Sequence, residues 1–213
     1  LGSGREALID ALYGISPARE GHIAINGQTL RPRSPVQAIA QKMALVPRDR
    51  RHDGLILPLS VADNINLASL PAVAWRGWLR RKQAVAQANH LAQTLDIRPR
   101  DVSVPVRNLS GGNQQKVILA RWLKTDTRLF ILDEPTLGVD IGAKAEIYQL
   151  TRQLAAEGRA VIVSSSDDGE LLGLCDRILV MWRGELIADV PTEHLSLDSL
   201  LALTSSGRTQ EAV

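Results

Sequence analysis

Short apolar segments alternate with longer stretches of helical periodicity along most of this chain, and this alternation constrains the fold more than any other feature. The apolar segments Leu129–Leu132, Ala160–Ser164 and Ile178–Met181 are predicted strands. Between the first two, Asp140 is placed to cap a long helix that ends at Gly158. Strands separated by helices of this length favour a mostly parallel sheet with right-handed crossovers. The pattern predicts an α/β protein.

The amino-terminal part of the chain has a different pattern. His22–Ile25 and Gln28–Leu30 flank the dipeptide Asn26-Gly27. Asn and Gly accept the positive φ that a two-residue hairpin turn requires. We therefore predict an antiparallel β portion near the N-terminus, followed by a buried strand at Met43–Val46.

Two short helices are predicted beside this hairpin. The apolar face of the first would be formed by Ala7, Leu8, Ala11 and Leu12. The second begins at Ser34-Pro35, since serine suits the capping position and proline the first helical position.

A helix-rich stretch interrupts the strand pattern from Pro58 to Asn108. Helices are predicted over Val61–Leu70 and Lys82–Leu95. We interpret this stretch as a helical subdomain, about 58–108, inserted into a single domain that spans 1–213. Residues after about 204 are predicted to form a flexible tail. Because the chain begins at Leu1, inside a glycine-rich loop, we expect it to be an N-terminally truncated domain.

Composition excludes several classes of function. The chain has 213 residues, 45% of them hydrophobic, and a formal net charge of +2. A charge this small, without a polybasic block, gives no indication of nucleic-acid binding. The single cysteine, Cys175, excludes an internal disulfide and argues against a thiolate zinc cluster. No apolar run approaches the roughly 18 to 20 residues of a membrane helix.

One surface feature has two interpretations. Two tryptophans stand among basic residues, in the set Trp75, Arg76, Trp78, Arg80, Arg81 and Lys82. Such a set can contact a membrane surface. It can also be a solvated helical face with the tryptophans packed beneath it, and we favour this second interpretation.

The string Leu109–Lys116, LSGGNQQK, is the strongest candidate for a ligand site. Adjacent Gly111 and Gly112 let the backbone approach a ligand closely. Ser110 stands where a helix begins, and a helix start attracts phosphate through its free amides and the positive end of its dipole. Taken alone, the string is also compatible with an ordinary loop and helix cap.

A second string ends the predicted strand Leu129–Leu132 with two carboxylates, Asp133 and Glu134. A carboxylate at the carboxyl end of a strand can hold Mg²⁺, and a neighbouring one can orient an attacking water. The alternative is a strand followed by a solvated acidic turn. That alternative is less consistent with the serine-glycine-glycine helix start that precedes this strand in the sequence.

The order of these motifs resembles the nucleotide-binding domain of ABC ATPases. The resemblance extends from Gly2 to about Leu203. Within that class, the strings resemble the second, C-terminal ATPase half of bacterial importers for ribose, galactose, arabinose or xylose. The strings that carry this closer resemblance are Val46–Arg50, Asp53–Leu55, Leu109–Lys116 and Asp133–Asp140.

The resemblance implies a P-loop type core and the cofactors ATP and Mg²⁺. It implies that Asp133 binds the metal, that Glu134 is catalytic, and that Asp140 lies at the seam between two ATPase halves. Residues implied to face nucleotide are Gly2, Ser3, Gly4, Arg5, Glu6, Ser110, Gly111, Gly112, Asn113 and Gln114. The implied partners are another ATPase half, membrane permease subunits and, indirectly, a periplasmic sugar-binding protein. The implied location is the cytoplasmic face of the bacterial inner membrane.

The phosphate loop departs from its usual pattern, G-x-x-x-x-G-K-[ST]. Gly2, Ser3 and Gly4 are followed by Arg5 and Glu6 in place of lysine and a hydroxyl residue. The Arg5 guanidinium keeps the charge but is larger than an ammonium. The Glu6 carboxylate repels phosphate, by about 4 kcal/mol for two unit charges ~4 Å apart at an effective dielectric constant of ~20. We expect weak nucleotide binding at this loop.

Two switch positions also differ from the residues that are usual in the family. Arg48 stands where the family has a glutamine that senses the γ-phosphate, and Asp167 where it has a histidine. The resemblance therefore implies an intact signature and a degenerate phosphate loop. We expect the signature to complete an ATP site held by the partner half.

Two other functions are compatible with the strings. A non-transport ABC ATPase of the DNA-repair or translation class would be expected to carry coiled-coil, zinc or strongly basic insertions, which this sequence lacks. A regulatory half that binds nucleotide without hydrolysing it stays open, since the hydrolytic site needs another polypeptide segment.

Overall fold

The computed structural model describes residues 2–206 except 17, 19, 26, 71–73 and 76–77. These residues form two compact units. One comprises the residues up to Met43 together with those from Ile162, and the other comprises Ala44–Val161. Among the described residues, none of the helices has both the length and the apolar character needed to cross a bilayer.

Helices and strands alternate largely as the sequence predicts. The helices are α1 (Arg5–Tyr13), α2 (Pro35–Ala40), α3 (Val61–Asn66), α4 (Arg81–Thr94), α5 (Gly111–Leu123), α6 (Ile141–Ala156), α7 (Asp168–Leu174) and α8 (Leu197–Ser206). The strands are β1 (Ile23–Ile25), β2 (Gln28–Leu30), β3 (Met43–Val46), β4 (Ala74–Trp75), β5 (Trp78–Leu79), β6 (Leu129–Asp133), β7 (Ala160–Ser164), β8 (Arg177–Trp182) and β9 (Glu185–Pro191).

The parallel sheet has the strand order β3-β6-β7, with β6 in the centre. Every residue of β6 is buried, as expected for a parallel strand covered on both faces. The indole Nε1 of Trp122 in α5 donates to the Leu45 carbonyl of β3 at 3.0 Å, which ties this helix to the sheet. The predicted α/β class with a parallel core is confirmed.

The amino-terminal hairpin pairs β1 with β2 in antiparallel register, Ile23 opposite Leu30. Gly27 has a φ of +76°, as the predicted turn requires, while Asn26 lies outside the described residues. The second predicted helix begins as expected, because the Ser34 hydroxyl accepts from the Gln37 amide and Pro35 is the first helical residue.

The prediction for the buried face of α1 is wrong. Ala7 and Leu8 are exposed, Leu8 to 43%. The buried side chains are Ile9 and Tyr13, which lie one turn apart on the helix. Two alanines gave the predicted stripe little apolar area, so the larger Ile9 and Tyr13 side chains determined which face is buried.

A second antiparallel hairpin, β8 with β9, was not predicted beyond a strand at 178–181. Its turn uses Arg183 and Gly184, with φ of +49° and +89°, the conformation of a two-residue hairpin turn. The polar Asp189 and the terminal Pro191 weakened the strand pattern of β9 in the sequence. Ile178 and Val180 pack with Leu200 and Leu203 of α8. Cys175 packs against this cluster, and burial raises the pKa of its thiol to about 11.

The helices of the helix-rich stretch pack through small side chains and around a buried asparagine, Asn64. In α4 the buried residues Ala84, Ala88 and Ala92 form one face at helical spacing, which allows a close helix contact. Asn64 of α3 is fully buried, and Arg121 of α5 donates to its carbonyl at 2.9 Å. The extent of a helical subdomain at about 58–108 stays a prediction.

The favoured interpretation of the tryptophan cluster is wrong for Trp78. This side chain is 79% exposed on the short β4–β5 hairpin rather than packed beneath a helical face. The neighbouring Arg80, Arg81 and Lys82 are also exposed. Arg76 lies outside the described residues.

Candidate functional site

The start of α5 carries the predicted signature, and Ser110 caps it. The Ser110 Oγ accepts hydrogen bonds from the Asn113 amide at 3.4 Å and from Asn113 Nδ2 at 2.9 Å. The Asn113 Oδ1 in turn accepts from the Arg98 amide at 2.8 Å. Ser110 is exposed. The amides of Gly111 and Gly112 are the first in α5, and the first amides of a helix have no intrahelical acceptor.

Both signature glycines are required by the packing of this chain itself. A β-carbon on Gly111 would lie 2.6 Å from Arg50 Nη2 and 2.8 Å from the Gly138 carbonyl oxygen. A β-carbon on Gly112 would lie 2.4 Å from the Ala143 Cβ of α6. The sequence suggested that these glycines admit a ligand, whereas the structure gives them a second reason, which is close contact with two neighbouring segments.

The remaining polar side chains of the signature support α5 from inside. Gln114 is fully buried, and its Nε2 donates to the Val106 carbonyl at 3.3 Å. Lys116 is buried, forms an ion pair with Glu146 of α6, and donates to the Asp96 carbonyl at 3.2 Å. These contacts fix the position of the exposed Ser110 end.

The two carboxylates after β6 lie in the same unit as the signature. Asp133 and Glu134 are both buried, and Glu134 has a φ of +48°. A left-handed backbone is uncommon for a non-glycine residue and is enriched at functional sites. The loop that follows leads to α6, where the Asp140 carboxylate accepts from the Ala143 amide at 2.9 Å, as predicted.

Arg50 belongs to the string Val46–Arg50 of the sequence analysis, which predicted no role for its side chain. Its Nη1 donates to the Leu137 carbonyl at 2.6 Å and its Nη2 to the Gly138 carbonyl at 3.1 Å. Burial lowers the pKa of the Arg50 guanidinium, with a smaller contribution from Arg51. Charge spacing alone could not identify it, because Arg50 and its acceptors are far apart in the sequence.

Asp49 fixes the turn that presents Arg50. A single π-helical turn spans Arg50–Gly54, and Asp49 Oδ1 accepts from the amides of Arg51 and His52, each at 3.0 Å. The His52 hydrogen bond is the main cause that lowers the pKa of Asp49. Arg48, the predicted switch position, immediately precedes this cap.

The phosphate loop begins α1, in the other unit. Gly2 and Gly4 have φ of +86° and +94°, and the Ser3 carbonyl accepts from the Gly184 amide at 2.9 Å. The side chain of the N-cap residue is absent in Gly4, and the Arg5 amide donates to Ser3 Oγ at 3.5 Å. Glu6 stands exposed in that first turn. The first turn of α1 therefore combines a glycine-flanked backbone with an exposed carboxylate where the sequence comparison expects a hydroxyl residue.

Asp167 acts as a helix cap. Its Oδ1 accepts from the Glu170 amide at 3.0 Å, which begins α7. The Asp167 amide donates to Ser165 Oγ at 3.0 Å, and the Ser165 hydroxyl donates to the buried Glu170 carboxylate. A carboxylate held in this way does not provide the hydrogen-bond donor of a histidine.

The predicted site residues thus form two sets. Arg48, Asp133, Glu134, Asp140 and the signature lie in the unit Ala44–Val161, whereas 2–6 and Asp167 lie in the other. Among the described residues, no group of three or more His, Cys, Asp or Glu side chains is placed to hold a metal ion. A magnesium ion commonly has one or two protein carboxylates and takes its other ligands from phosphate and water.

The sequence matches the family described as ABC transporter over residues 1–137. The chain belongs to this family. Its relatives include the ribose import ATP-binding protein RbsA of Cereibacter sphaeroides, which is 44% identical over 99% of this chain and 42% of the relative. A putative ribose/galactose/methyl galactoside import ATP-binding protein of Halalkalibacterium halodurans is 41% identical over 94% of this chain and 38% of the relative. The chain thus spans about two fifths of the length of these relatives.

Solved ABC cassettes share the fold. A dimeric MJ0796 cassette in a post-hydrolysis state with ADP and Pi matches with a TM-score of 0.74 and 22% identity, over 91% of this chain and 82% of that one. Another dimeric MJ0796 structure matches with a TM-score of 0.75 and 23% identity, over 92% and 83%. At this identity the likeness establishes the fold, an ABC ATPase cassette of the P-loop class.

Proposed function

We propose that this chain is one ATPase half of an importer that couples ATP binding and hydrolysis to the uptake of a simple sugar. Its signature completes the ATP site of the partner half, and its own phosphate loop is degenerate. The observation that carries the proposal is the contrast between an exposed, well-supported Ser110 and a phosphate loop with Glu6 in its first turn.

The sugar assignment is supported by the names of the relatives, which are ribose and ribose/galactose/methyl galactoside import ATP-binding proteins. The chain covers 42% and 38% of those two proteins, which leaves room in each for another ATPase half. We propose membrane permease subunits and, indirectly, a periplasmic sugar-binding protein as further partners. The proposed location is the cytoplasmic face of the bacterial inner membrane.

At the signature, the residues of this chain bind and orient. The Ser110 hydroxyl and the amides of Gly111 and Gly112 would donate to a γ-phosphate presented by the partner half. Their supports, Arg50 and Ala143, keep the backbone in place before contact, so little reorganisation is needed when the halves close. Asp140 lies beside Gly112 and would face the seam. Bound Mg²⁺ would supply electrostatic stabilisation of the transferred phosphoryl group.

At the phosphate loop, the amides of α1 can still donate to a phosphate, but Arg5 and Glu6 replace the lysine and the hydroxyl. Asp133 and Glu134 are retained, so this half keeps a metal-binding and a catalytic carboxylate without the side chains that normally accompany them. We propose that most of the hydrolysis takes place at the partner's phosphate loop.

Separation of function tests this assignment. In the full-length protein, Ser110→Arg should lower ATP hydrolysis by at least ~100-fold and abolish transport, because the bulky cation blocks the γ-phosphate donors. Arg5→Ala should change hydrolysis by less than about threefold, because Arg5 lies at the phosphate loop that carries little of the hydrolysis. Such a change is well below the ~1.4 kcal/mol of transition-state stabilisation that a factor of ten represents.

A matched control removes another helix-capping serine. Ser60 caps α3 by accepting from the Asp63 amide at 3.0 Å, so Ser60→Arg has the same cap loss and the same added charge away from the signature. It should retain hydrolysis. Equal losses from Ser110→Arg and Arg5→Ala would overturn the asymmetric assignment, and a fully active Ser110→Arg protein would overturn the role of the signature.

A further inference from the structure

Arg50 lies where three segments of the unit Ala44–Val161 meet. These are its own turn, Arg50–Gly54, the loop that precedes α6, and the start of α5. The guanidinium is the group that touches the other two segments. A residue in this position can couple the movements of the two segments.

The turn itself is firmly seated. Asp49 Oδ1 accepts from two of its amides, and the Asp53 amide donates to the Asp49 carbonyl at 2.9 Å. At the other end, a β-carbon on Gly54 would lie 2.6 Å from Ile118 Cδ1, so the turn packs directly against α5. The Arg50 side chain therefore starts from a fixed backbone.

The fork of the guanidinium binds two successive carbonyls. Nη1 donates to Leu137 and Nη2 to Gly138, at 2.6 and 3.1 Å. Gly138 has a φ of +65°, a conformation that glycine adopts without strain. A planar group with two parallel donors matches this pair of acceptors, whereas a lysine ammonium is a point charge and does not.

The same Nη2 is in close contact with the signature. It would lie 2.6 Å from a β-carbon on Gly111, and the Gly138 oxygen that it binds would lie 2.8 Å from the same carbon. The loop, the guanidinium and the first residue of α5 are thus so close together that not even a methyl group would fit between them. Contacts this close give a route by which a displacement of the loop can reach the Ser110 end of α5.

We propose that Arg50 is a positioning residue that holds the Leu137–Asp140 loop and the Ser110–Gly112 start of α5 as one rigid part. It acts through Ser110 and Asp140 and does not itself contact nucleotide. Its effect on hydrolysis rests on the proposed function, whereas the coupling between the two segments can be measured without any activity.

Hydrogen exchange of the full-length, nucleotide-free protein is the primary test. The amides to follow are the hydrogen-bonded ones, Leu137 and Val139 in the loop and Asn113 and Gln114 at the start of α5. In Arg50→Lys both pairs should exchange about tenfold faster, because one of two charge-assisted hydrogen bonds is lost and the contact loosens. Amides of α4, in the same unit, provide the reference for any general loss of stability. Arg51→Lys is the matched control, since Arg51 is the adjacent arginine and is exposed.

Steady-state hydrolysis is the second readout. Arg50→Lys should lower kcat about tenfold and leave KM for ATP within about twofold, since misplacement of the signature affects the transition state more than ATP binding at the partner's loop. Arg51→Lys should change neither.

Faster exchange in the loop alone, or in neither segment, would overturn the proposal, as would equal effects from Arg51→Lys. If Ser110→Arg retains activity, the proposed function fails, and the exchange measurement still decides the role of Arg50. If Ser110→Arg is inactive while Arg50→Lys has normal exchange and normal kcat, only the inference about Arg50 fails.

Discussion

The helix starts at α1 and α5 both follow glycines, yet their surroundings differ. At α5, Ser110 caps the helix, and Arg50, Gly138 and Ala143 press against the two glycines. At α1, Gly4 provides no side-chain cap and Glu6 stands in the first turn. Both starts place the amides of a first helical turn next to glycines, so the backbone alone does not distinguish them. The neighbouring side chains do: the Arg50 guanidinium lies beside Gly111 at α5, whereas an exposed carboxylate, Glu6, stands in the first turn of α1.

The largest expected effect concerns Gly112. Gly112→Ala would place its Cβ 2.4 Å from the Ala143 Cβ, which is attached directly to the backbone of α6 and cannot rotate away. We expect the free energy of unfolding to fall by about 1–3 kcal/mol, measured by denaturant unfolding. Gly173→Ala is the control, because a β-carbon there has no atom within 4 Å and the residue is helical. An unchanged stability for Gly112→Ala would remove the packing explanation of the signature glycines.

The next effect tests the phosphate loop directly. The double variant Arg5→Lys with Glu6→Thr restores the usual residue types, and it should raise nucleotide affinity at this loop about tenfold. The exposed Glu6 carboxylate repels a phosphate charge ~4 Å away by about 1 kcal/mol, and about 1.4 kcal/mol is a factor of ten in affinity. Binding is measured by calorimetry on the full-length protein that also carries Ser110→Arg, which weakens the partner's site. The control pair Arg33→Lys with Glu193→Thr changes exposed residues of the same types. No gain in affinity would mean that Glu6 is not what weakens this loop.

The smallest effect is a pH dependence in the turn that presents Arg50. The His52 imidazole donates a hydrogen bond to the Asp53 carboxylate, and this bond, with added attraction from Asp53 and Asp49, raises the pKa of His52. A pKa that is higher in the folded state stabilises the fold below the unfolded value and loses that contribution as the pH rises through the folded value. His52→Gln should therefore lower the free energy of unfolding slightly near pH ~5.5 and leave it unchanged near pH ~8.5.

Thermal unfolding at those two pH values, with His90→Gln as the control on exposed α4 surface, measures this difference. Asp53→Asn should remove most of the pH dependence, because the carboxylate that accepts the His52 hydrogen bond is lost and only the weaker attraction of Asp49 remains. A larger loss at alkaline than at acidic pH would contradict the sign of the pKa shift.

Local signals in the sequence identified most of the elements. Caps at Ser34, Ser110 and Asp140 depend on one side chain and one amide a few residues ahead, and each was found where the sequence predicted it. The β8–β9 hairpin was missed in part, since its turn consists of Arg183 and Gly184 rather than a typical Asn-Gly pair. The extent of the helical subdomain and the roles of the site residues stay predictions.

By itself, the sequence determined the alternation of strands and helices, the caps, and the departures of Arg5 and Glu6 from the usual phosphate loop, because these depend on residue types at short spacing. Only the tertiary structure decided that Ile9 and Tyr13 form the buried face of α1, and that Arg50 contacts Leu137 and Gly138. Both depend on what lies opposite a side chain in space. No short-range sequence pattern predicts which distant carbonyl a guanidinium will contact.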